Sequence, residues 1–262
     1  MTTDHGPRVQ RPRSEVQDPW RCSTAAAAGN PGSSWATSGT SPRRPPSSPS
    51  SARGCCRLSE IAGRLGKPAT SLSRPLERLL GLGLTRRDVP FGASVRDTKR
   101  PLYRIADPLL GFGFRFVEPN RSHLEAGQVA RVAREIGATL PHHVASVWED
   151  LVRESVPRSR YFKRVWGEAW SWWGPGKDRS PLEIALVAES ADRKALLIGE
   201  VQRSAKVDLG RLSSALRQKT GKFPPAHGRQ VCHAIWTAAA TPARSLGGVR
   251  WLGPEDILKV LR

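Results

Sequence analysis

Two apolar runs joined by a short polar turn, between residues 182 and 202, constrain the fold of this chain more than any other feature. They read LEIALVAES and ALLIGEVQ, and residues 191–194 separate them. Apolar runs of this length without regular polar alternation predict neighbouring strands that are covered on both faces, so we expect a buried β-hairpin. Glu183 and Glu200 interrupt the runs. Because burial of a carboxylate carries a desolvation cost, each is expected to have a partner, a metal ion or access to water.

The segments around this hairpin predict a mixed sheet with helices. A helix over 141–156, a strand over 161–173, the hairpin, a helix over 207–221 and a strand over 230–237 give the order α-β-β-β-α-β. A short strand over 249–252 and a helix over 254–261 follow. The predicted fold class is therefore α/β, of the α+β kind.

Residues 58–105 predict two short helices followed by a two-stranded wing. Gly66-Lys67-Pro68 breaks the first helix, Thr70 or Ser71 caps the second, and strands over 84–89 and 102–105 flank a tip at 91–100. This order is typical of a winged helix-turn-helix, whose second helix enters the major groove of DNA. The alternative is a packing or regulatory module with the same basic residues simply solvated. The candidate nucleic-acid-binding residues are Thr70, Ser71, Ser73, Arg74 and Arg78 on the helix, and Arg86, Arg87, Arg96, Lys99 and Arg100 on the wing.

The charge of the chain favours a phosphate-bearing partner. Lys and Arg number 42 against 23 Asp and Glu, a formal net charge of +19. Neutralising phosphates drives sequence-independent affinity for nucleic acid, although a coding bias with a solvated surface would give the same composition. No run approaches the 18 or so apolar residues of a membrane span, so we expect no membrane partner and a cytoplasmic location.

The first 57 residues predict a disordered, low-complexity tail. They are built of Ser, Pro, Arg, Gly, Ala and Thr with almost no Leu or Ile, and such a segment buries too little apolar surface to offset its ordering entropy. A genuine basic tail and a shifted reading frame both account for this composition. Residues 107–140 predict a helical connector, with helices over 109–117 and 128–136. Its phenylalanines Phe112, Phe114 and Phe116 are interpreted as core residues, as is the group Trp166, Trp170, Trp172 and Trp173.

Several motifs for other chemistries are absent. The segment GRLGKP at 63–68 lacks both the glycine spacing and the Ser or Thr of a phosphate-binding loop, so the chain is not expected to hydrolyse ATP by itself. The four cysteines, at 22, 55, 56 and 232, have no CxxC spacing and predict neither a disulfide framework nor a zinc site.

A family resemblance joins these segments. The stretch YRIADPLLGFGFRFVE at 103–118, PNRS at 119–122, WWG at 172–174, EIALVA at 183–188 and GEVQ at 199–202 resemble the C-terminal region of archaeal-type ATPases. In that family a winged helix and a PD-(D/E)xK nuclease-like domain follow an ATPase domain. The resemblance covers residues 58 to the C-terminus. It implies a winged helix at 58–106, a connector at 107–140, a nuclease-like α/β domain at 141–262, and a separate ATPase chain as a partner.

This chain departs from the family at its two most important strands. The resembled pattern is Glu-Ile-Asp and then Gly-Glu-Cys-Lys, whereas the residues here are EIA at 183–185 and GEVQ at 199–202. In such nucleases the Asp and Glu bind Mg²⁺ and the Lys stabilises charge on the attacking water and phosphate. Ala185 and Gln202 supply neither function. Glu200 remains as the one candidate metal ligand from the motif, with Glu183, Glu149 or Glu154 as a second carboxylate.

Three functions follow as hypotheses. The first is a nucleic-acid-binding protein, a remnant or partner of an archaeal-type ATPase, whose nuclease-like domain is degenerate and inactive; Mg²⁺ is the one cofactor considered. The alternatives are a Mg²⁺-dependent nuclease that uses Glu200 with Glu183 or Glu149 as catalytic residues, and a non-enzymatic regulatory module of an ATPase.

Overall fold

A computed structural model describes residues 57–94, 101–203, 208–239 and 245–262, and within them the chain is a mixed α/β protein. Almost all of the predicted tail, and the wing residues Arg96, Lys99 and Arg100, lie outside the described residues. The described helices are α1 Leu58–Leu65, α2 Ser73–Gly81, α3 Pro108–Phe112, α4 Arg121–Glu125, α5 Val129–Arg158, α6 Leu209–Lys222 and α7 Pro254–Leu261. The described strands are β1 Thr85–Asp88, β2 Leu102–Ile105, β3 Trp166–Pro175, β4 Pro181–Ser190, β5 Ala195–Gln202, β6 Gln230–Thr237, β7 Ser245–Leu246 and β8 Val249–Leu252.

The first unit consists of α1, α2 and an antiparallel β1–β2 hairpin. Gly66 ends α1 with a φ of 60°, a left-handed conformation that costs glycine no steric energy. A single 3₁₀ turn, Ala69–Leu72, then leads into α2. The core of this unit is small, and its buried members are Ile61, Ala62, Leu72, Leu76 and Tyr103. The helices and strands predicted for this region are therefore present in the predicted order, and the assignment as a winged helix stays a prediction.

The connector and the next helix differ from the prediction. Val129–Arg158 is one helix of 30 residues that contains Pro141, whereas two helices were expected on either side of that proline. A proline inside a helix loses one hydrogen bond and crowds the residue four positions earlier. The crowded group is the backbone carbonyl of that residue, here Gly137, and α5 nevertheless continues through Pro141 and also contains Pro157. The core interpretation of the phenylalanines holds for Phe116, which is buried, and is wrong for Phe114, which is 48 % exposed.

The central sheet has the strand order β3-β4-β5-β6-β8-β7. The pairs β3–β4, β4–β5 and β7–β8 are antiparallel, while β5–β6 and β6–β8 are parallel. The hairpin predicted at 182–202 is confirmed as β4 and β5. The strand predicted from residue 161 begins later, at Trp166, because Tyr161–Lys163 forms a tight turn with positive φ at Phe162 and Lys163.

Helices cover both faces of this sheet. On one face, α5 and α7 pack through Val152, Val156 and Ile257 against alternate residues of β4 and β5. On the other face, α6 contributes Leu216 to a second core that also contains Phe223 and Trp251. None of the described helices combines the length and the low polarity that a membrane span requires.

Gly199 permits the close packing of β5 against β6. A Cβ atom at this position would lie 2.3 Å from Trp236 Cζ3 and 2.9 Å from the Ala234 carbonyl oxygen. Trp236 is fully buried and belongs to the core on the α5 side of the sheet. Any side chain at 199 therefore requires the indole ring and the neighbouring strand to move.

We expect Gly199→Ala to lower the free energy of unfolding by about 1–3 kcal/mol, because overpacking forces buried side chains and backbone to shift. The matched control is Gly221→Ala on α6, where a Cβ would meet nothing within 4 Å. That change should raise stability by up to about 1 kcal/mol through helix propensity. Urea titration measures both, and equal stability of the two variants would contradict the close-packing argument.

Candidate functional site

The ends of β4 and β5 separate and open a pocket at one edge of the sheet. Their paired residues run from Glu189 opposite Leu196 to Leu186 opposite Gly199. The neighbouring residues, Ala185 and Glu200, lie at the wall of a cavity of about 340 Å³. The cavity is lined by His142, Ala145, Ser146 and Glu149 of α5, Glu183 and Ala185 of β4, Glu200, Val201 and Gln202 of β5, and Lys219 of α6. The five positions that the sequence predicts for this site therefore share one pocket.

Glu200 and Lys219 form an ion pair in this pocket. Lys219 Nζ lies 2.5 Å from Glu200 Oε1, and the Glu200 side chain is 12 % exposed. Helix α6 packs on the face of the sheet opposite α5, and its last turn, which contains Lys219, lies near the end of β5. In the sequence, Lys219 is only one of four basic residues between Leu209 and Lys222. Its position near Glu200 depends on how α6 packs, and no local pattern indicates it.

Glu149 enters the pocket from α5 beside an arginine. Arg153 Nη1 lies 3.8 Å from Glu149 Oε2 and donates a hydrogen bond to the Ala185 carbonyl oxygen at 3.2 Å. Glu154, the other carboxylate proposed for this helix, is exposed and pairs with Arg158. Five residues of helix rotate a side chain by about 140°, so Glu149 and Glu154 cannot serve the same site. The alternative with Glu154 is wrong.

Three carboxylates line the pocket, those of Glu149, Glu183 and Glu200. Within the described ranges, no group of three or more His, Cys, Asp and Glu side chains is placed to hold a metal ion. Ala185 offers no side-chain oxygen, and its carbonyl oxygen already accepts from Arg153. Glu200, the remaining motif carboxylate, is paired with an ammonium group. Proteins usually hold Mg²⁺ with one or two carboxylates together with water and substrate phosphates, so Glu200 and its neighbours stay candidate ligands.

The residues predicted to bind nucleic acid on the first unit divide into two groups. Those around the start of α2 are exposed, namely Thr70, Ser71, Ser73, Arg74 and Arg78. The Ser71 hydroxyl donates to the Pro68 carbonyl oxygen at 2.7 Å, which helps to form the turn before α2. This part of the surface is open to a partner.

The arginines of the hairpin, in contrast, face the rest of the protein. Arg86 donates to the Asp150 carboxylate of α5, and Arg104 Nη2 lies 2.8 Å from the other carboxylate oxygen. Arg104 also pairs with Asp88 at 2.6 Å, and Arg153 pairs with Asp150 at 2.7 Å. We call these five residues the Asp150 cluster. Arg86 was predicted to reach a phosphate, and the structure places it in this intramolecular cluster.

The loop after β1 strengthens this attachment. The Phe91 amide donates to the Ser171 carbonyl oxygen of β3 at 2.9 Å, and the Phe91 ring packs against the core that contains Trp172. Arg87, on the opposite face of β1, is half-buried. The described part of the hairpin is therefore docked on the second unit, by which we mean α5 to α7 and the six-stranded sheet. It is not a freely projecting wing.

The Asp150 carboxylate remains charged because its partners outweigh its burial. Burial raises the pKa of Asp150. The charges of Arg104, Arg153 and Arg86 together lower it by more, so the pKa lies below the ordinary value of 3.8. One carboxylate shared by three guanidinium groups holds the hairpin, α5 and the pocket wall together.

Comparison with known proteins supports only a coarse classification. A family model, DUF234, described as archaeal and bacterial proteins of unknown function, matches residues 113–211. The chain is also similar to Uncharacterized protein MJECL04 of Methanocaldococcus jannaschii, with 28 % identity over 145 residues. This match covers 54 % of the chain and 31 % of the relative, so the chain spans about a third of that protein's length. No solved structure matches the chain.

The matched region contains most of the pocket. Residues 113–211 include α5, β3, β4 and β5, and therefore Glu149, Glu183 and Glu200. Lys219 lies beyond the matched region. The ion pair between Glu200 and Lys219 thus joins a residue inside the family match to one outside it.

Asp150 should make stability depend on pH. A carboxyl group with a lowered pKa in the folded state stabilises the fold above its unfolded pKa of about 3.9, and this stabilisation is lost as the pH falls through the folded value. We expect Asp150→Asn to cost about 2 kcal/mol at pH 7 and to lose less stability than wild type between about pH 5 and pH 3. Urea titrations across this range measure both effects.

The control is Glu154→Gln, which removes an exposed pair one turn away on the same helix. It should change stability by less than about 0.5 kcal/mol and keep the pH profile of wild type. Parallel profiles for wild type and Asp150→Asn would show that the cluster contributes nothing to acid sensitivity.

Proposed function

We propose that this chain binds nucleic acid through the phosphate backbone and does not cut it. The observation that carries the proposal is the pocket at the ends of β4 and β5. In that pocket Glu200 is neutralised by Lys219, and Ala185 and Gln202 stand where the resembled nucleases have Asp and Lys. The arrangement retains a polar cavity beside a basic helix and has lost the groups for metal-assisted hydrolysis.

The fold supports this proposal. The order α5, β3, β4, β5, α6, β6 with a mixed sheet agrees with a PD-(D/E)xK nuclease-like domain at residues 141–262. The two helices and hairpin of the first unit agree with a winged helix at residues 58–106. Both assignments are part of the proposal, since fold alone does not imply function.

Two exposed basic surfaces are available for phosphates. The first is the outer side of α2, where Arg74 and Arg78 are one turn apart and exposed. The second is α6, which has four basic residues and no acidic residue between Leu209 and Lys222. On α6 the exposed members are Arg211 and Arg217. With a net charge of +19, such surfaces favour sequence-independent contact with the nucleic-acid backbone.

Hydrolysis of a phosphodiester needs more than the pocket supplies. A metal-assisted mechanism requires carboxylates to hold the ion and a cation to stabilise the developing charge. Lys219 is cationic, but it is engaged with the carboxylate that would have to bind the metal. The Mg²⁺-dependent nuclease is therefore the weaker candidate, with Glu200, Glu183 and Glu149 as the residues it would need.

A second candidate function is that of an interaction module for an ATPase chain. The resemblance to the C-terminal region of archaeal-type ATPases and the much greater length of the M. jannaschii relative favour it. Such a role is compatible with nucleic-acid binding. Co-purification with a chain that contains a phosphate-binding loop would support it.

We expect binding to duplex DNA that weakens steeply with salt. The double variant Arg74→Ala, Arg78→Ala should lower affinity at low salt and reduce the slope of log K against log [salt] by roughly 2, because about one counterion is released for each phosphate contact. Fluorescence anisotropy with duplexes of unrelated sequence measures the slope. Arg158→Ala is the control, since that arginine is exposed but paired with Glu154. Absence of wild-type binding at low salt would refute the proposed function.

We also expect no cleavage of DNA in the presence of Mg²⁺. Wild type and Glu200→Gln should show the same background on single- and double-stranded substrates, because Ala185 and Gln202 lack the carboxylate and the cation of the resembled nucleases. A time course with a labelled oligonucleotide tests this. Cutting that Glu200→Gln abolishes would instead establish the nuclease alternative.

A further inference from the structure

We propose that Arg153 couples the docked β1–β2 hairpin to the pocket, so that the position of the hairpin sets the geometry of the pocket wall. This coupling would change the pocket beside α6, one of the two basic surfaces to which the proposed function assigns phosphate contact, and that part of the inference rests on the proposed function. The coupling itself follows from the contacts of Arg153.

Arg153 lies between the two regions. One guanidinium nitrogen, Nη2, pairs with Asp150 Oδ1 at 2.7 Å. The other, Nη1, donates to the Ala185 carbonyl oxygen at 3.2 Å and lies 3.8 Å from Glu149. Both Ala185 and Glu149 line the pocket. Because the guanidinium group is planar and rigid, a movement of Asp150 that turns one nitrogen also turns the other.

The β1–β2 hairpin supplies two further partners of Asp150. Arg86 and Arg104 both pair with its carboxylate, and they lie directly opposite each other in β1 and β2. The Arg104 side chain is 10 % exposed and that of Arg153 is 12 % exposed, so water does not readily replace these contacts. Undocking the hairpin would leave Asp150 with Arg153 as its one remaining partner in the cluster and would change the orientation of both.

The pocket wall lies where the pairing of β4 with β5 has ended. The paired residues of β4 and β5 end at Leu186 and Gly199, and the Ala185 carbonyl oxygen accepts instead from Arg153. The spacing of the separated strand ends thus depends on a side chain from α5. A shift of Arg153 would move β4 relative to Glu200, which changes the cavity that a backbone phosphate would approach.

Two variants test the two halves of this coupling separately. Asp150→Asn removes the charge that holds all three arginines. Arg153→Lys keeps a charge opposite Asp150, but a single ammonium group cannot reproduce the forked contact with Asp150 and the Ala185 carbonyl oxygen together. Glu154→Gln on the same helix is the matched control.

Hydrogen exchange by mass spectrometry of the full chain, without nucleic acid, provides the readout. The regions compared are the hairpin (85–88 and 102–105), the strand ends (181–185 and 199–202) and the reference core of β5 (195–198). We expect Asp150→Asn to speed exchange roughly tenfold in both the hairpin and the strand ends, relative to the reference core. Arg153→Lys should speed exchange at the strand ends alone, and Glu154→Gln should change neither.

Two results would overturn the coupling. One is a hairpin that responds to Asp150→Asn while the strand ends exchange as in wild type. The other is Arg153→Lys with unchanged strand ends, and this result decides the matter even if Asp150→Asn fails to fold. Because no nucleic acid is present, a failure here is distinct from a failure to bind DNA.

Discussion

The burial of β4 and β5 on both faces is the constraint on which the rest of this structure depends. Neither strand has a polar face to expose, so α5 and α7 must cover one side of the sheet and α6 the other. Gly199 allows the neighbouring strand to approach closely enough for Trp236 to fill the core. The positions of the three covering helices, and therefore of the charged residues they carry, follow from this requirement.

The pocket lies where the pairing of β4 with β5 ends. Beyond Leu186 and Gly199 the two strands separate, and the polar residues at their ends meet side chains delivered by α5 and α6. Two of the carboxylates that lie there have a basic neighbour: Lys219 beside Glu200, and Arg153 beside Glu149. Charges in a partly buried cavity are tolerated when they are paired.

Paired charges of low exposure also attach the first unit to the rest of the structure. Its own core is small, and its hairpin is held to the second unit by the Asp150 cluster and by Phe91. The basic residues of the chain therefore have two roles. Some, such as Arg74 and Arg78, remain on the surface, while Arg86 and Arg104 join the two units.

The amino-acid sequence by itself determined the strands, because runs of apolar residues bounded by turns are local signals. It located β4 and β5, β6 and β8, and the final helix, and it brought Glu149, Glu183 and Glu200 to one site. Only the tertiary structure decided that Lys219 neutralises Glu200, that α5 continues through Pro141, and that Arg86 faces Asp150. The partners in the two ion pairs lie 19 and 64 residues apart, and a proline taken by itself favours the end of a helix. Such contacts have no local periodicity from which they could be inferred.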